Sequence, residues 1–438
     1  MVTVSICGCG NRGLTAYARF AAEHPDRMQV VAGADVKPER LQLLRELYGV
    51  SEENCFRSDR DLLAQPKLSD AMIIATQDKD HVRQAMAALE KGYHLILEKP
   101  VSRDLAECLD LLEKAEETDR YVMVCHELRY TPFYAKIREL LDTGAIGDVR
   151  TIDMTENVGY YHFAHSYVRG NWRKSDDSSP MILAKCCHDL DLARWFADAP
   201  CKRVQSFGSL SEFRSANAPF GAAAYCMDGC THQADCPYDC EKVYITGAHG
   251  VLRNGEAWPM NTVVDHPTVE SLEAALKEGP YGRCVYFCDN DVPDHQTVNM
   301  EFENGVTATF TVSAFSSSIY RGIKITGTEG ELMGRLEKQT IVVRPFGEKD
   351  RVYDLHEEVD AGAGHGGGDN ALTEAFVEIL ENGGTVETDL LSAIDSHVIA
   401  LAAEYSRTHD GVTVDLKEFT DSEGAADKKP ARKKGGRK

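Results

Sequence analysis

The sequence predicts a parallel α/β domain followed by an α+β domain built on an open, mostly antiparallel sheet. Three observations carry that prediction. Short apolar runs alternate with helical patterns through residue 125, β-branched and aromatic stretches bounded by turn signals occupy the middle of the chain, and 438 residues exceed what one core ordinarily serves. The expected boundaries are 1–125 and 126–415, with a disordered basic tail over 416–438.

Composition narrows the function classes. A formal net charge of -22 argues against binding a nucleic-acid backbone, which needs a basic face. No apolar run reaches membrane-spanning length, and the amino terminus enters a strand without the charged and apolar segments of a secretion signal. The 14 cysteines are therefore expected as reduced thiols or metal ligands, and the protein as cytoplasmic. From Glu423 to Lys438 there are seven Lys/Arg against two Asp/Glu and no apolar periodicity, the composition of a solvated tail.

Taken in order, Val2–Cys7 is an apolar strand running into Gly8-Cys9-Gly10-Asn11-Arg12-Gly13 and a helical pattern, Leu14–Ala22. Strand, G-x-G-x-x-G, helix is the order of a dinucleotide-binding Rossmann fold. Two glycines admit backbone close to a pyrophosphate, the third lets helix pack on strand, and the helix start offers amides to the anion. A second strand, Met28–Ala34, ends in Asp35, whose carboxylate can accept both hydroxyls of an adenosine ribose and repel a 2′-phosphate. NAD is thus favoured over NADP, although Arg12, Lys37 and Arg40 lie near enough in sequence to soften the exclusion.

Further strands are expected at Ala71–Ala75, His94–Leu97 and Tyr121–Cys125. The first leads through Thr76 to His81, at the junction of strand end and helix start; the ordinary alternative for His81 is an exposed first-turn residue. The next delivers Glu98-Lys99-Pro100 to the carboxyl edge of the sheet, where open parallel sheets bind ligands, and Pro100 biases Lys99 toward extended backbone.

Beyond the helical pattern Pro132–Thr143, strand character returns at Arg150–Val158, Lys202–Ser211, Thr297–Glu303 and Val306–Ala314, the last two joined by an Asn304-Gly305 hairpin signal. Between the first two lies a stretch rich in polar and aromatic groups, including Glu156, Tyr160, His162, His165, Arg169 and Trp172, suited to covering sugar C–H faces and bonding hydroxyls. Met181–Phe196 reads as one helix with Lys185 and His188 on one face. Cys226, Cys230, Cys236 and Cys240 match in number a closed four-sulfur zinc site; an iron–sulfur cluster would use the same ligands, and ordinary thiols are the alternative. The glycine-rich run from Gly364 to Asp369 reads as a flexible closing segment before a helix.

Gly8–Gly13, Asp35, Ala75-Thr76 with His81, Glu98-Lys99-Pro100 and Arg129-Tyr130-Thr131-Pro132 together resemble the glucose–fructose oxidoreductase/inositol dehydrogenase superfamily, Gfo/Idh/MocA. The resemblance implies an NAD-binding Rossmann domain, a substrate-binding and oligomerising α+β domain, and Lys99 near the nicotinamide and the reacting hydroxyl, its bond to Pro100 a candidate for cis. It also implies a catalytic histidine at His188, usually preceded by an aspartate four residues earlier. Here that position is Ala184, and Lys185 is the expected replacement, so Lys99, Lys185 and His188 form the expected catalytic set. A lysine close to Lys185 and an oxidised nicotinamide is expected to have a depressed pKa. Glu98 and Lys99 join the cofactor contacts, while Arg129, Tyr130, Arg169, Trp172, Lys185 and Asp189 are the candidate substrate contacts.

The expected activity is hydride transfer between NAD and a secondary alcohol of a sugar, polyol or glycoside. Two alternatives differ in class. One is a glycoside-cleaving enzyme that retains NAD and oxidises the sugar transiently; the other is a non-catalytic NAD-sensing protein, which presence of both Lys99 and His188 disfavours. A small-molecule substrate and self-association are expected, with no nucleic-acid or membrane partner.

Overall fold

The computed structural model describes residues 1–358 and 364–426. Its first sheet is parallel and six-stranded: β1 (Val2–Cys7), β2 (Met28–Ala34), β3 (Cys55–Phe56), β4 (Ala71–Ile74), β5 (His94–Leu97) and β6 (Val122–Val124), in the order β3-β2-β1-β4-β5-β6. Every residue of β4 and β6 is buried. Helices cover both faces of such a sheet, which is why these strands read as unbroken apolar runs. At two residues, β3 is too short to carry such a run. Strand order reverses between β1 and β4, so a crevice opens at their carboxyl ends.

The second sheet has nine strands: β7 (Val149–Asn157), β8 (Cys201–Ser209), β9 (His295–Phe302), β10 (Thr307–Ser313), β11 (Tyr320–Gly327), β12 (Gly330–Arg335), β13 (Thr340–Pro345), β14 (Arg351–Asp354) and β15 (Val414–Asp415). They run in the order β14-β13-β12-β11-β7-β10-β9-β8-β15. All neighbours are antiparallel except β7 and β10, which pair parallel. Alternate residues of β9, β10 and β11 are buried, the signature of a sheet with one face packed and one open. The packed face meets the helices Cys187–Ala197 and Leu390–Thr408. The hairpin turns as expected through Asn304-Gly305, with Gly305 at φ 83°.

Three expectations need correction. The helix expected over Met181–Phe196 is two, Met181–Ala184 and Cys187–Ala197, separated at Lys185-Cys186. Residues 416–426 are not a disordered tail: β15 pairs with β8, and the helix Leu416–Ala426 packs on Leu105–Thr118, with Leu416 buried and Phe419 against the core. The basic stretch from 427 onward lies outside the described residues. Finally, Leu372, Phe376 and Val377 of the helix Gly368–Asn382 are buried with Val4, Ile6, Leu14 and Tyr17. The chain returns to complete the first domain's core, so the boundary at 125 does not separate the two packing units. No described helix is long and apolar enough to cross a membrane.

Between β8 and β9 the chain inserts residues 210–294, a region of short helices with its own core around Tyr244, Ile245, Met260, Leu272 and Leu276.

Candidate active site

At the mouth of the crevice the first loop is shaped for a ligand's backbone. Gly8 has φ 94°, and a Cβ there would lie 2.4 Å from the Ala75 carbonyl oxygen; one on Gly13 would lie 2.2 Å from the oxygen of Gly8. Only glycine fits either position. The helix that follows begins with wide π-helical turns over Asn11–Tyr17. Asp35, ending β2, is 8% exposed; its Oδ1 accepts from the Lys37 amide at 2.9 Å, and its Oδ2 stands 3.5 Å from Arg40 Nη1. That guanidinium also borders Gly10. These residues fit a dinucleotide: a cradle that a Cβ would fill, and a carboxylate at the end of the second strand with a cation beside it.

Other expected cofactor contacts are committed to the protein itself. Arg12 Nε bonds Glu98 Oε1 at 2.6 Å, while its Nη2 and Nη1 reach the two oxygens of Asp369 at 2.7 and 3.0 Å. Tyr17 donates to the same Glu98 oxygen at 2.6 Å. Arg12 and Glu98 therefore join the first loop, the end of β5 and the helix starting at Gly368, because burying a carboxylate as deeply as Glu98 requires cations and donors around it. Asn11 accepts from the Thr15 hydroxyl, and Thr76 donates to Gln84 at 2.6 Å. His81 is not an exposed first-turn residue: it is 1% exposed, with Nδ1 2.8 Å from the Pro100 carbonyl and Nε2 3.4 Å from that of Thr76.

Lys99 leaves β5 at the crevice, and its bond to Pro100 is cis. Its Nζ donates to the Ala184 carbonyl at 3.0 Å. Ala184, where the resemblance implies an aspartate, thus holds the lysine through its backbone. The protein's own charges act on the Lys99 pKa in the direction opposite to the depression expected from Lys185 and the nicotinamide together. Burial alone would lower it, but Cys187, Glu98, Glu127 and Asp78 together outweigh that and raise it above the ordinary lysine value. Behind it, His397 Nε2 accepts from the Val101 amide at 2.8 Å and its Nδ1 bonds the Ala393 carbonyl at 2.6 Å, which requires a neutral ring; burial brings its pKa down to about 3.

His188 Nε2 lies 3.5 Å from Glu127 Oε1, and both side chains are buried. Lys185 instead reaches Glu156 Oε1 at 3.3 Å. The break at Lys185-Cys186 removes the shared helical face that sequence periodicity implied. His188 consequently faces an anion rather than a cation, and Glu127 is the functional candidate that sequence reasoning missed. Its signal was its place, three residues past β6 at the same carboxyl edge that marked Lys99.

The substrate candidates divide sharply. Arg129 bonds Asp191 through Nε at 2.7 Å and Nη2 at 2.5 Å, and the Glu387 carbonyl through Nη1 at 3.0 Å; Tyr130 OH is 3.3 Å from Thr388 Oγ1. Asp189 Oδ1 accepts from Arg321 Nε at 2.9 Å, and Arg321 also pairs with Glu156 Oε2 at 2.8 Å. Burial, moderated by Arg321 and reinforced by Glu156, raises the Asp189 pKa. Arg129, Tyr130 and Asp189 are therefore internal ties, since charges this buried need partners. Arg169 also departs from expectation, turning into the insertion, where its Nε and Nη2 donate to the carbonyls of Arg283 and Tyr238, each at 2.8 Å. Trp172 keeps a half-exposed ring beside Tyr167. His165 is internal, between Tyr244 OH and Thr262 Oγ1 at 2.9 and 3.0 Å.

Comparison with known proteins shows the family and the fold. The model of an oxidoreductase family with an NAD-binding Rossmann fold, Gfo/Idh/MocA, matches residues 2–126, and that of the family's C-terminal alpha/beta domain matches residues 138–416. YteT of Bacillus subtilis, named as an oxidoreductase, is 24% identical over 398 residues, 85% of this chain and 88% of its own. A glycosyl hydrolase family 109 protein of Bacteroides fragilis is 29% identical over 210 residues, 44% of each chain. Among solved structures, levoglucosan dehydrogenase in complex with NADH and levoglucosan superposes with a TM-score of 0.68 at 18% identity, covering 95% of this chain and 99% of that one. An oxidoreductase of Agrobacterium radiobacter in complex with NAD+, L-tartaric acid and magnesium gives 0.66 at 17% identity, with 95% and 99% covered.

Proposed function

This chain belongs to the Gfo/Idh/MocA oxidoreductase family, and from that premise we propose that it is an NAD-dependent dehydrogenase of a secondary alcohol in a sugar, polyol or glycoside. The observation that carries the reading is the convergence of Lys99 and the His188–Glu127 pair on the crevice that the glycine loop opens. Bound in that cradle, NAD supplies the hydride acceptor in oxidation and the donor in reduction.

The chain's own groups handle the proton. Lys99, directed by the Ala184 carbonyl, donates a hydrogen bond to the substrate oxygen and stabilises negative charge developing there. His188 takes the hydroxyl proton, and Glu127 steadies the imidazolium that forms, the base-and-orienter logic of proton-transfer sites. The Ala184 carbonyl fixes the lysine's direction beforehand, which shortens the search for a reactive geometry. Asp35 favours NAD, with Arg40 leaving some room for NADP. Lys185, held by Glu156, and the ring of Trp172 are the remaining substrate contacts in this reading. Self-association is assigned to the open face of the second sheet, and the setting to the cytoplasm.

The match to glycosyl hydrolase family 109 proteins favours one second reading, in which a glycoside is oxidised, loses its aglycone by elimination, gains water and is reduced again without net NADH formation. A panel of glycosides and polyols, following NADH absorbance and released sugar together, separates the two. NADH accumulation without release supports the dehydrogenase; release without NADH supports the second reading; neither, across the panel, overturns both.

A further inference from the structure

The insertion between β8 and β9 contains a second built site, distant in role from the proton-transfer groups. Ligand atoms of Cys226, Asp239 and Cys240 all lie within 4.8 Å of one another, and all three residues are buried. Cys226, Asp239, Cys236 and Cys284 line a cavity of about 20 Å³, room for a single ion or water. The chain folds to bring them there: Cys226 donates its amide to Gly282, and Cys284 donates its own to Ala224.

Two buried polar groups at this place lack partners. Asp239 is 2% exposed, and while its Oδ1 accepts from the Lys242 amide, its Oδ2 has none. Arg169 is 1% exposed, its Nη2 touches Cys226 Sγ at 3.6 Å, and its Nη1 has no partner. Among the described residues no carboxylate pairs with this guanidinium, which cannot shed its proton. Burying such a charge without a counter-anion costs several kcal/mol. A metal held by thiolates and a carboxylate is a net anion of the right sign and place.

We propose that Cys226, Asp239 and Cys240 bind a structural zinc ion, completed by a thiol from the cavity wall, Cys230, Cys236 or Cys284, with Arg169 as the counter-cation. Zinc about 2.3 Å from each sulfur sets tetrahedral ligand atoms roughly 3.8 Å apart, which the observed spacing accommodates with small movements. A cluster of several metal atoms would hold its ligands farther apart. Cys230 and Cys236, expected with Cys226 and Cys240 as ligands, line the cavity without joining the close trio, in which Asp239 stands instead. The ion's place in the fold gives it work: the insertion has a small core and no sheet of its own, and small units of this kind need such a staple.

The test uses the full chain from zinc-supplemented cells, purified without chelators or metal resin. Elemental analysis should find about one zinc per chain without acid-labile sulfide, as a closed four-ligand site holds. Cys226→Ser with Cys240→Ser should reduce zinc to below about 0.1 equivalent, while Cys201→Ser, outside the cluster, should leave it unchanged. NAD affinity in the double variant should stay within about twofold, because the ligands lie outside the nucleotide loop. Wild-type protein exchanged with cobalt should show thiolate-to-cobalt charge-transfer absorption, a readout that does not depend on the variant folding. Wild type with less than about 0.1 equivalent of zinc, iron with sulfide, zinc retained by the double variant, or cobalt protein without that absorption would each overturn the assignment.

Discussion

The two sheets present charged groups in opposite ways. At the parallel sheet, Asp35 follows directly on β2 and Lys99 lies two residues past β5, so both meet the crevice from a strand end. At the second sheet, Glu156 lies within a strand, on the packed face, and its charge is balanced by Lys185 and Arg321 from elsewhere. Strand ends aim side chains at a ligand, whereas strand faces must first satisfy the fold. The charges of Asp35 and Lys99 are therefore available for chemistry, while those of Arg12 and Glu98 in the first domain and of Glu156 in the second are spent holding elements together.

The largest effect should come from cutting the second sheet's cluster. Arg321→Ala leaves Glu156 and Asp189 buried without their shared guanidinium and should lower unfolding free energy by about 3–5 kcal/mol, measured by denaturant titration. A loss under about 1 kcal/mol would erase the contrast between the sheets. Lys99→Ala should do the reverse, reducing turnover by roughly 10²-fold or more with NAD affinity nearly intact, as steady-state kinetics and cofactor titration would report. Comparable activity in that variant would remove Lys99 from the reaction.

Glu127→Gln sharpens the comparison, since this acid follows a strand of the first sheet yet serves a histidine of the second domain. Turnover should fall about tenfold, and the acidic limb of the pH–rate profile should move to lower pH, because the imidazolium loses its counter-anion. An unmoved limb would reduce Glu127 to a packing role. Asp35→Ala should act least, weakening NAD binding by about tenfold and narrowing its margin over NADP, since a carboxylate that accepts hydrogen bonds and opposes phosphate is gone while Arg40 stays. Equal affinities before and after would remove Asp35 from cofactor choice.

What was legible in the sequence was local. Gly8 through Gly13 declares a turn that only glycines allow, and buried parallel strands announce their own ends, so the first sheet and the position of Lys99 could be read directly. The pairing of His188 with Glu127 joins the segment after β6 to the helix Cys187–Ala197, and no periodicity encodes it. Arg169 misled for a related reason: a cation among aromatic side chains resembles a sugar-binding surface until the insertion folds over it and turns it inward. The same holds for Arg129, whose partner Asp191 sits on a helix far along the chain. Strands β11 to β13 do alternate in burial along much of their length, a period-two pattern that lies between better-marked turns.

The return of Gly368–Asn382 to the first core bears on modularity. Asp369 closes the grip on Arg12, and Phe376 fills a core that begins at Val2. A nucleotide domain excised at residue 126 would expose the apolar surface that Leu372, Phe376 and Val377 now cover, and would strip Arg12 of one of its carboxylates. Moving this chain's cofactor domain into another protein therefore requires transplanting two separated pieces of chain, and the unit that must be inherited intact is discontinuous in sequence.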